Sequence, residues 1–526
     1  MRQVPFDSAR GKRLSRMATG LLVLLAALAL AQVGVSQKPT ASEEAAVSGF
    51  VPLLTDFGPA PRPGRLMIAA KGPVTDAMRA ELSSYATIHG VITRYNLIVA
   101  TPHGPRDRAV IERLWFVASV ENDQPRYLAN HTASWDRDIL DVQDVEESGS
   151  IGTPDPREVS ETGAGVHVAV IDTGLPKNWG AFLRAGDIRT DLARAFLGGG
   201  AVAENFVPPD EFNISNPTNL WERDTNGHGM AVASHVVGFN IGPRFVMGTA
   251  PGAKIIPLKV FPNGEAFTWS SRIIAAIAYT TQLKQDGVIG PTVINLSLSG
   301  GVPVFLERAA IQDAIENGVI VVAAAGNAGE SGMGWPAAFP EVISAGATGW
   351  TEQFKPTGAG GAPNFAFWWT RDVPNDLDGS GPSEETKSFV AGFSGRARPD
   401  RSVPFGVPAQ ELDVLAPGNW TVGPYGHGPN AGFFFLTGTS FSSPLTAGVA
   451  ALMLEKNPSL NQAAVEGILK STALPMATTD SRPGVVEING VVFTASWDTS
   501  CGPAAMPCNA VGSGLLQADA ALAAVP

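Results

Sequence analysis

Runs of apolar residues set the architecture of this chain before any single residue does. Met17–Ala31 is almost wholly apolar and follows a start that carries Arg2, Arg10, Lys12, Arg13 and Arg16. As a helix this stretch would rise only about 22 Å, short of the roughly 30 Å hydrocarbon core of a bilayer. It ends in Ala29-Leu30-Ala31, a small-residue cleavage pattern, so residues 1–31 read as an export signal rather than an anchor. No later apolar stretch reaches the length of a membrane span. The remainder is therefore expected to be soluble, secreted to the medium or periplasm, and without membrane contact after signal removal.

Residues 32–63 are rich in Ala, Ser, Pro and Gly and read as a linker. A small periodic block follows at 64–127. Arg65–Ala70 reads as a short strand. Val74, Met78, Leu82 and Tyr85 or Ala86 share one helical face. Val91–Thr101 reads as strand, Arg106–Trp115 as helix and Phe116–Val120 as a last strand. The order β-α-β-(β)-α-β predicts an α+β module of the ferredoxin-like kind.

From about residue 130 the rhythm changes. Buried-type strands recur at Val166–Ile171, Lys254–Val260, Thr292–Leu298, Val319–Ala324 and Val342–Ala347. Helical patterns start near His228, Ser271 and Pro303 and resume at Phe441–Leu454 and Asn461–Thr472. This alternation predicts an α/β fold, a mainly parallel sheet with helices on both faces, over residues 130–526. Residues 350–410 interrupt it with Gly, Pro, Asp and Trp, including Trp368 and Trp369, and read as a long surface insertion.

Composition narrows the function. Lys and Arg number 37 against 49 Asp and Glu, a net charge of −12, with no basic block, which excludes a nucleic-acid binder of the usual kind. Two cysteines are too few for a cysteine zinc module or an iron–sulfur cluster. Export implies instead that Cys501 and Cys508 form a disulfide.

Three stretches carry chemistry. Val168-Ala169-Val170-Ile171-Asp172-Thr173-Gly174 puts a carboxylate at the carboxyl end of a buried strand, the edge of a parallel sheet where sites form. Asp224-Thr225-Asn226-Gly227-His228-Gly229 puts an imidazole at the start of a small-residue helix, with Asp172 the candidate partner. His235, seven residues on, reads as a packed core residue. Thr437-Gly438-Thr439-Ser440 leads a serine into an apolar helix. Pro444 is expected in that helix's first turn, which puts Ser440 at its positive end.

Singly, each has a bland structural reading as a turn, a core histidine or an N-cap. Together, the order Asp172, His228, Ser440, separated by 56 and then 212 positions, resembles the subtilases, the subtilisin-like serine peptidases. Val321–Gly329 supports the resemblance, which implies that Asn327 donates to an oxyanion. Ile294–Gly301 is similar to the family strand that pairs with substrate backbone, implying substrate-binding roles for Ser297, Leu298 and Ser299. Leu415-Ala416-Pro417-Gly418 and Gly512–Asp519 match further segments.

The resemblance also implies that 64–127 is a propeptide acting as an intramolecular inhibitor, cleaved at roughly 124–134. The partners expected are a protein or peptide substrate and the chain's own propeptide. The chemistry needs no cofactor. Structural calcium is common in the family, but the sequence shows no compact ligand cluster to name. There are departures. Ser299 stands where the family usually has Gly, and a side chain there narrows the pocket. Met230-Ala231-Val232-Ala233-Ser234 and Phe441-Ser442-Ser443 also differ from the usual residues. The expectation is a secreted serine endopeptidase working through an acyl-enzyme. Its rivals are a catalytically silent binding protein and an acyl-transferase with the same triad.

Overall fold

The computed structural model describes residues 65–123, 125–128, 136–137, 139–140, 142, 159–197, 220–241, 244–350, 388–476, 485–488, 491–496, 500–501 and 506–526. The export signal, the linker, Trp368 and Trp369 lie outside these.

The N-terminal module consists of β1 (Leu66–Ala70), α1 (Asp76–Leu82), β2 (Ala86–Ile92), β3 (Leu97–Pro102), α2 (Asp107–Ile111) and β4 (Val117–Asn122). Its sheet has the order β2-β3-β1-β4 with every neighbour antiparallel. Thr75 starts α1, its hydroxyl taking the Met78 N–H at 3.3 Å, as an N-cap should. Alternation gives the sheet two jobs. Leu66, Ile68 and Ile98 join Met78, Leu82 and Phe116 in the module's own core. Met67, Ile92, Leu97 and Val99 enter the large core shared with the strands and helices beyond residue 130. Each such side chain contributes about 1.5–3 kcal/mol of burial, so the module is held to the larger part of the chain by its apolar face.

Val91–Thr101, read as one strand, is the heart of a hairpin instead. Thr93–Tyr95 make a 3-10 turn and Asn96 sits at φ 50° in the left-handed region, where Asn is among the tolerated residues. Ile92 then faces Leu97 across the ladder. The second helix is also shorter than read, ending at Ile111.

The large sheet runs, edge to edge, Val485–Ile488, Val491–Ser496, Ser388–Ala391, Ile343–Trp350, Val319–Ala324, Thr292–Leu296, His167–Asp172, Lys254–Lys259 and Arg194–Ala195. Val414–Pro417 also pairs with Ile343–Trp350. The central strands are parallel, as the sequence predicts. Successive strands build outward from His167–Asp172, first on one side to Lys254–Lys259 and then on the other to Thr292–Leu296. The crevice at that reversal is where open α/β sheets bind ligands. The helices His228–Val237 and Thr439–Lys456 pack on each other, and Ser270–Gln285 packs on Phe305–Glu316.

One boundary needs correction. Residues 350–410 were expected to form a surface insertion, yet Ser388–Ala391 is a buried strand, antiparallel to Thr348–Trp350. Four residues are too short a run to stand out among the Gly and Pro around them. Residues 351–387 lie outside the described part. Cys508 is disulfide-bonded, and Cys501 is the chain's other cysteine.

Candidate active site

Asp172 is the last residue of its strand and is wholly buried. His228 begins the helix His228–Val237, where Gly227 enters at φ 96°. A Cβ on Gly227 would lie 2.2 Å from the Gly426 nitrogen, so glycine is required there on two counts. The imidazole Nδ1 lies 2.8 Å and 3.0 Å from the two Asp172 carboxylate oxygens. A carboxylate accepts, so Nδ1 carries the proton and Nε2 is left as the basic nitrogen. Among the described residues, the buried His228 Nε2 has no hydrogen-bond partner.

Ser440 is the second residue of the helix Thr439–Lys456 and wholly buried. Its hydroxyl donates to the Ser297 carbonyl at 3.2 Å. The structure thus joins Asp172 to His228 by hydrogen bonds and ties Ser440 to the substrate-strand candidate Ser297. The Phe441 ring, next in sequence, lies 5.7 Å from the His228 ring and 5.1 Å from that of His235.

Pro444 is not in the first helical turn, as read from sequence, but inside the helix. A proline there cannot serve the carbonyl four residues back, which is that of Ser440. The Ser297 hydroxyl takes its place, donating to the Ser440 carbonyl at 2.7 Å. The proline is thereby accommodated, and the helix start is fastened to the neighbouring strand.

Asn327 follows the strand Val319–Ala324. Its Oδ1 accepts the Thr439 N–H at 3.0 Å and the Thr439 hydroxyl at 2.8 Å. The backbone donor fixes which end of the amide is oxygen. The other end is therefore the NH2 donor.

Leu298–Ser299 forms a strand, and it has an occupant. Pro125–Leu128 lies between it and Phe267–Trp269 in a three-stranded antiparallel sheet. Leu128 faces Leu298 and Tyr127 faces Ser299. The Ser299 side chain stands beside two glycines. A Cβ on Gly334 would fall 2.8 Å from the Ser299 Cβ, and one on Gly326 3.1 Å from its Oγ. Where the chain leaves β4, Asp123 accepts the Ser271 N–H at 2.9 Å at the start of Ser270–Gln285 and is paired to Arg65 at 2.6 Å. Glu121 accepts the Leu306 N–H at 3.4 Å at the start of Phe305–Glu316.

His235 is the packed core histidine the sequence suggested. Its Nδ1 faces the Ala231 carbonyl at 2.8 Å and its Nε2 the Thr421 hydroxyl at 2.7 Å. Burial, aided by Arg137, holds it down at about 3. Sequence reasoning missed Asp224, Thr173, Asn226, Lys259 and Tyr425. Asp224 accepts the N–H groups of Asn226 and Gly227 at 2.8 Å and 2.7 Å and the Thr173 hydroxyl at 2.8 Å. The signals are an Asp-x-Asn turn just before His228 and a lysine that follows the apolar run Ile255–Leu258.

A serine at a helix start, a carboxylate-bound imidazole and an asparagine amide bonded to the serine's neighbour are the residue types that hydrolases of the serine-peptidase class use. The Subtilase family model matches residues 163–493, and the chain belongs to that family, the subtilisin-like serine peptidases. It is 31% identical over 315 residues to subtilisin DY of Bacillus licheniformis, spanning 59% of this chain and 84% of that one. It is 30% identical over 320 residues to alkaline elastase YaB of Bacillus sp. (strain YaB), spanning 60% of this chain and 62% of that one. Fervidolysin from Fervidobacterium pennivorans, a keratinolytic enzyme related to subtilisin, superposes with a TM-score of 0.57 at 19% identity. That match covers 88% of this chain and 61% of fervidolysin, and is a likeness of fold. No helix among the described residues is long and apolar enough to cross a membrane.

Proposed function

We propose that the chain is a secreted serine endopeptidase made as a precursor, in which residues 64–127 inhibit the active site until they are cut away. The observation that carries this reading is the occupant strand. Pro125–Leu128 lies between Leu298–Ser299 and Phe267–Trp269 as an added strand, pairing through its main chain as an extended peptide does. Leu298 follows Ser297, whose carbonyl holds the Ser440 hydroxyl. The chain's own segment thus stands in for substrate, and cutting is expected just beyond Leu128. The helix-start carboxylates Asp123 and Glu121 hold that segment in place.

A free serine hydroxyl is a weak nucleophile. On this reading the Ser440 side chain turns from the Ser297 carbonyl toward His228 Nε2, a step between staggered wells. His228 removes the proton as Ser440 attacks the scissile carbonyl, then gives it to the leaving amine. Asp172 holds the tautomer and stabilises the charged ring. The Asn327 amide and the Ser440 N–H at its helix start receive the oxyanion. Water then releases the acyl group. No cofactor enters these steps. Among the described residues no group of three or more His, Cys, Asp or Glu could hold a metal ion.

The test compares wild-type chain with Ser440→Ala. Wild type should hydrolyse casein and peptide substrates, react with a phosphonate serine probe, and show a new N-terminus just beyond Leu128. Ser440→Ala should remain full length after signal removal and lose turnover by several orders of magnitude. A Ser440→Ala chain that still matured and cleaved casein unaided would refute the reading.

A further inference from the structure

We propose that Lys259 is a positioning residue for the Asp172–His228 pair, acting through Asp224 and Thr173; the inference rests on the serine-peptidase reading above. Lys259 ends the strand Lys254–Lys259, in parallel register with Asp172. It is wholly buried, a costly place for an ammonium group without partners. Its stem passes beside Gly174, where a Cβ would fall 3.0 Å from the Lys259 Cβ. The Nζ donates to the Thr173 carbonyl at 2.7 Å and to Asn263 Oδ1 at 3.0 Å, and stands 4.0 Å from Asp224 Oδ1. Asn263 in turn donates to the Arg223 carbonyl at 2.6 Å. One cation therefore ties the segment carrying Asp172 to the segment leading into His228.

The direction of each hydrogen bond is set by the groups available. Thr173 has one hydroxyl proton and gives it to Asp224 Oδ2 at 2.8 Å. Its lone pairs are then turned to the Gly229 N–H at 2.9 Å, in the first turn of the histidine helix. The Thr173 N–H donates to Asp172 Oδ1 at 2.6 Å. Asn226 Oδ1 takes the His228 N–H at 3.1 Å and the Tyr425 hydroxyl at 2.7 Å. The turn of the acid and the helix start of the base are thus locked by one chain of bonds, and its anchor is an ionised Asp224. A protonated Asp224 would offer one acceptor fewer and would compete for the Thr173 lone pair. Burial pushes the Asp224 carboxyl up, and Lys259 opposes that rise more than any other group. The titratable groups around the cluster are Asp172, Lys259 and Tyr425, with His228 and, beyond it, His235.

The experiment uses Lys259→Met, which keeps the stem and removes the charge, with Thr173→Val, Thr173→Ser and Asp224→Asn beside it. Lys259→Met should lower kcat by about ten- to a hundredfold, the cost of a small misplacement of reacting groups, with KM changed by less than about threefold. The acid limb of its pH–rate profile should move to higher pH, because Asp224 now takes up a proton. Asp224→Asn should lose kcat at every pH and leave that limb in place. Thr173→Ser should retain most of kcat, whereas Thr173→Val should not. A readout independent of turnover is the Nδ1 proton resonance of His228 in the Ser440→Ala chain. It should shift or broaden in Lys259→Met and Thr173→Val and persist in Thr173→Ser. Wild-type kcat, acid limb and His228 resonance in both Lys259→Met and Thr173→Val would overturn the proposal. Should Lys259→Met fail to fold, the Thr173 pair decides. Should the wild-type chain hydrolyse no peptide, the peptidase reading falls, and the His228 resonance alone decides the positioning role.

Discussion

Asp123 is a single side chain on which the hold of the N-terminal module can be measured. It is buried, as is its ion-pair partner Arg65. It accepts the Ser271 N–H and the Ser271 hydroxyl, and Arg65 also donates to that hydroxyl at 3.1 Å. The Arg65 guanidinium further lies 5.4 Å from the Trp269 ring centroid. Asp123→Ala would strip an acceptor from a helix start and take the carboxylate away from a buried guanidinium. Loss of an N-cap costs about 1 kcal/mol, and breaking a buried pair by removing one partner about 3–5 kcal/mol. The two overlap on one carboxylate, so we take about 3–5 kcal/mol together. At about 1.4 kcal/mol per tenfold, opening of this contact becomes roughly a hundred- to four-thousandfold more frequent. The assay is hydrogen exchange in the Ser440→Ala chain, which keeps the precursor intact, tracking peptides that span Phe267–Ile274. Asp123→Asn keeps an acceptor for the Ser271 N–H and should fall between wild type and Asp123→Ala. Glu121→Gln, whose bond to Leu306 is longer at 3.4 Å, should change exchange at Leu306 by far less. Protection in Asp123→Ala within threefold of the parent would show that the capped ion pair does not hold the module.

Three further outcomes are expected of the site and its surroundings. Ser299→Gly should raise kcat/KM for substrates with Leu or Phe at the cleaved position by about ten- to two-hundredfold relative to Ala, read on a peptide anilide series; an unchanged series would mean that Ser299 does not narrow the pocket. Asn327→Leu should lower kcat by about a hundred- to a thousandfold with KM little altered, and a change confined to KM would remove Asn327 from oxyanion duty. Acid should destabilise the fold through two histidines. Burial holds His235 at about 3, and burial with Arg65 and Arg272 holds His89 at about 4. An unfolded chain takes up protons near 6.5, so their stabilising effect is complete above that value and is lost as pH falls toward 3–4. Each histidine should cost about 2 kcal/mol between pH 7 and 5. Urea unfolding of the Ser440→Ala chain at the two pH values checks this, and a slope unaffected by His89→Gln would refute the His89 share.

What could be read from sequence divides along a physical line. The places of Asp172, His228 and Ser440, at the end of a buried strand or the start of a buried helix, are legible because such ends are written in hydrophobicity. The roles read for them, for Asn327 and for Leu298–Ser299 come from the resemblance to the family and not from the pattern. The hairpin at Thr93–Asn96 was not legible, because a four-residue turn made of Thr, Arg, Tyr and Asn lacks Gly and Pro to announce it. Ser388–Ala391 was not, because its pairing partner lies some forty residues away and its length is below what periodicity can resolve. Pro444 reads as a first-turn proline because the preference that places it there is local. The hydroxyl that replaces its missing N–H comes from Ser297, 143 positions before Ser440. The same holds for Lys259 and Asp224. A polar residue ending an apolar strand and an acid opening a turn are ordinary until the sheet brings the two together. Sequence marks where chemistry stops the pattern, and the partners that orient that chemistry come from other segments, known only once the chain is folded.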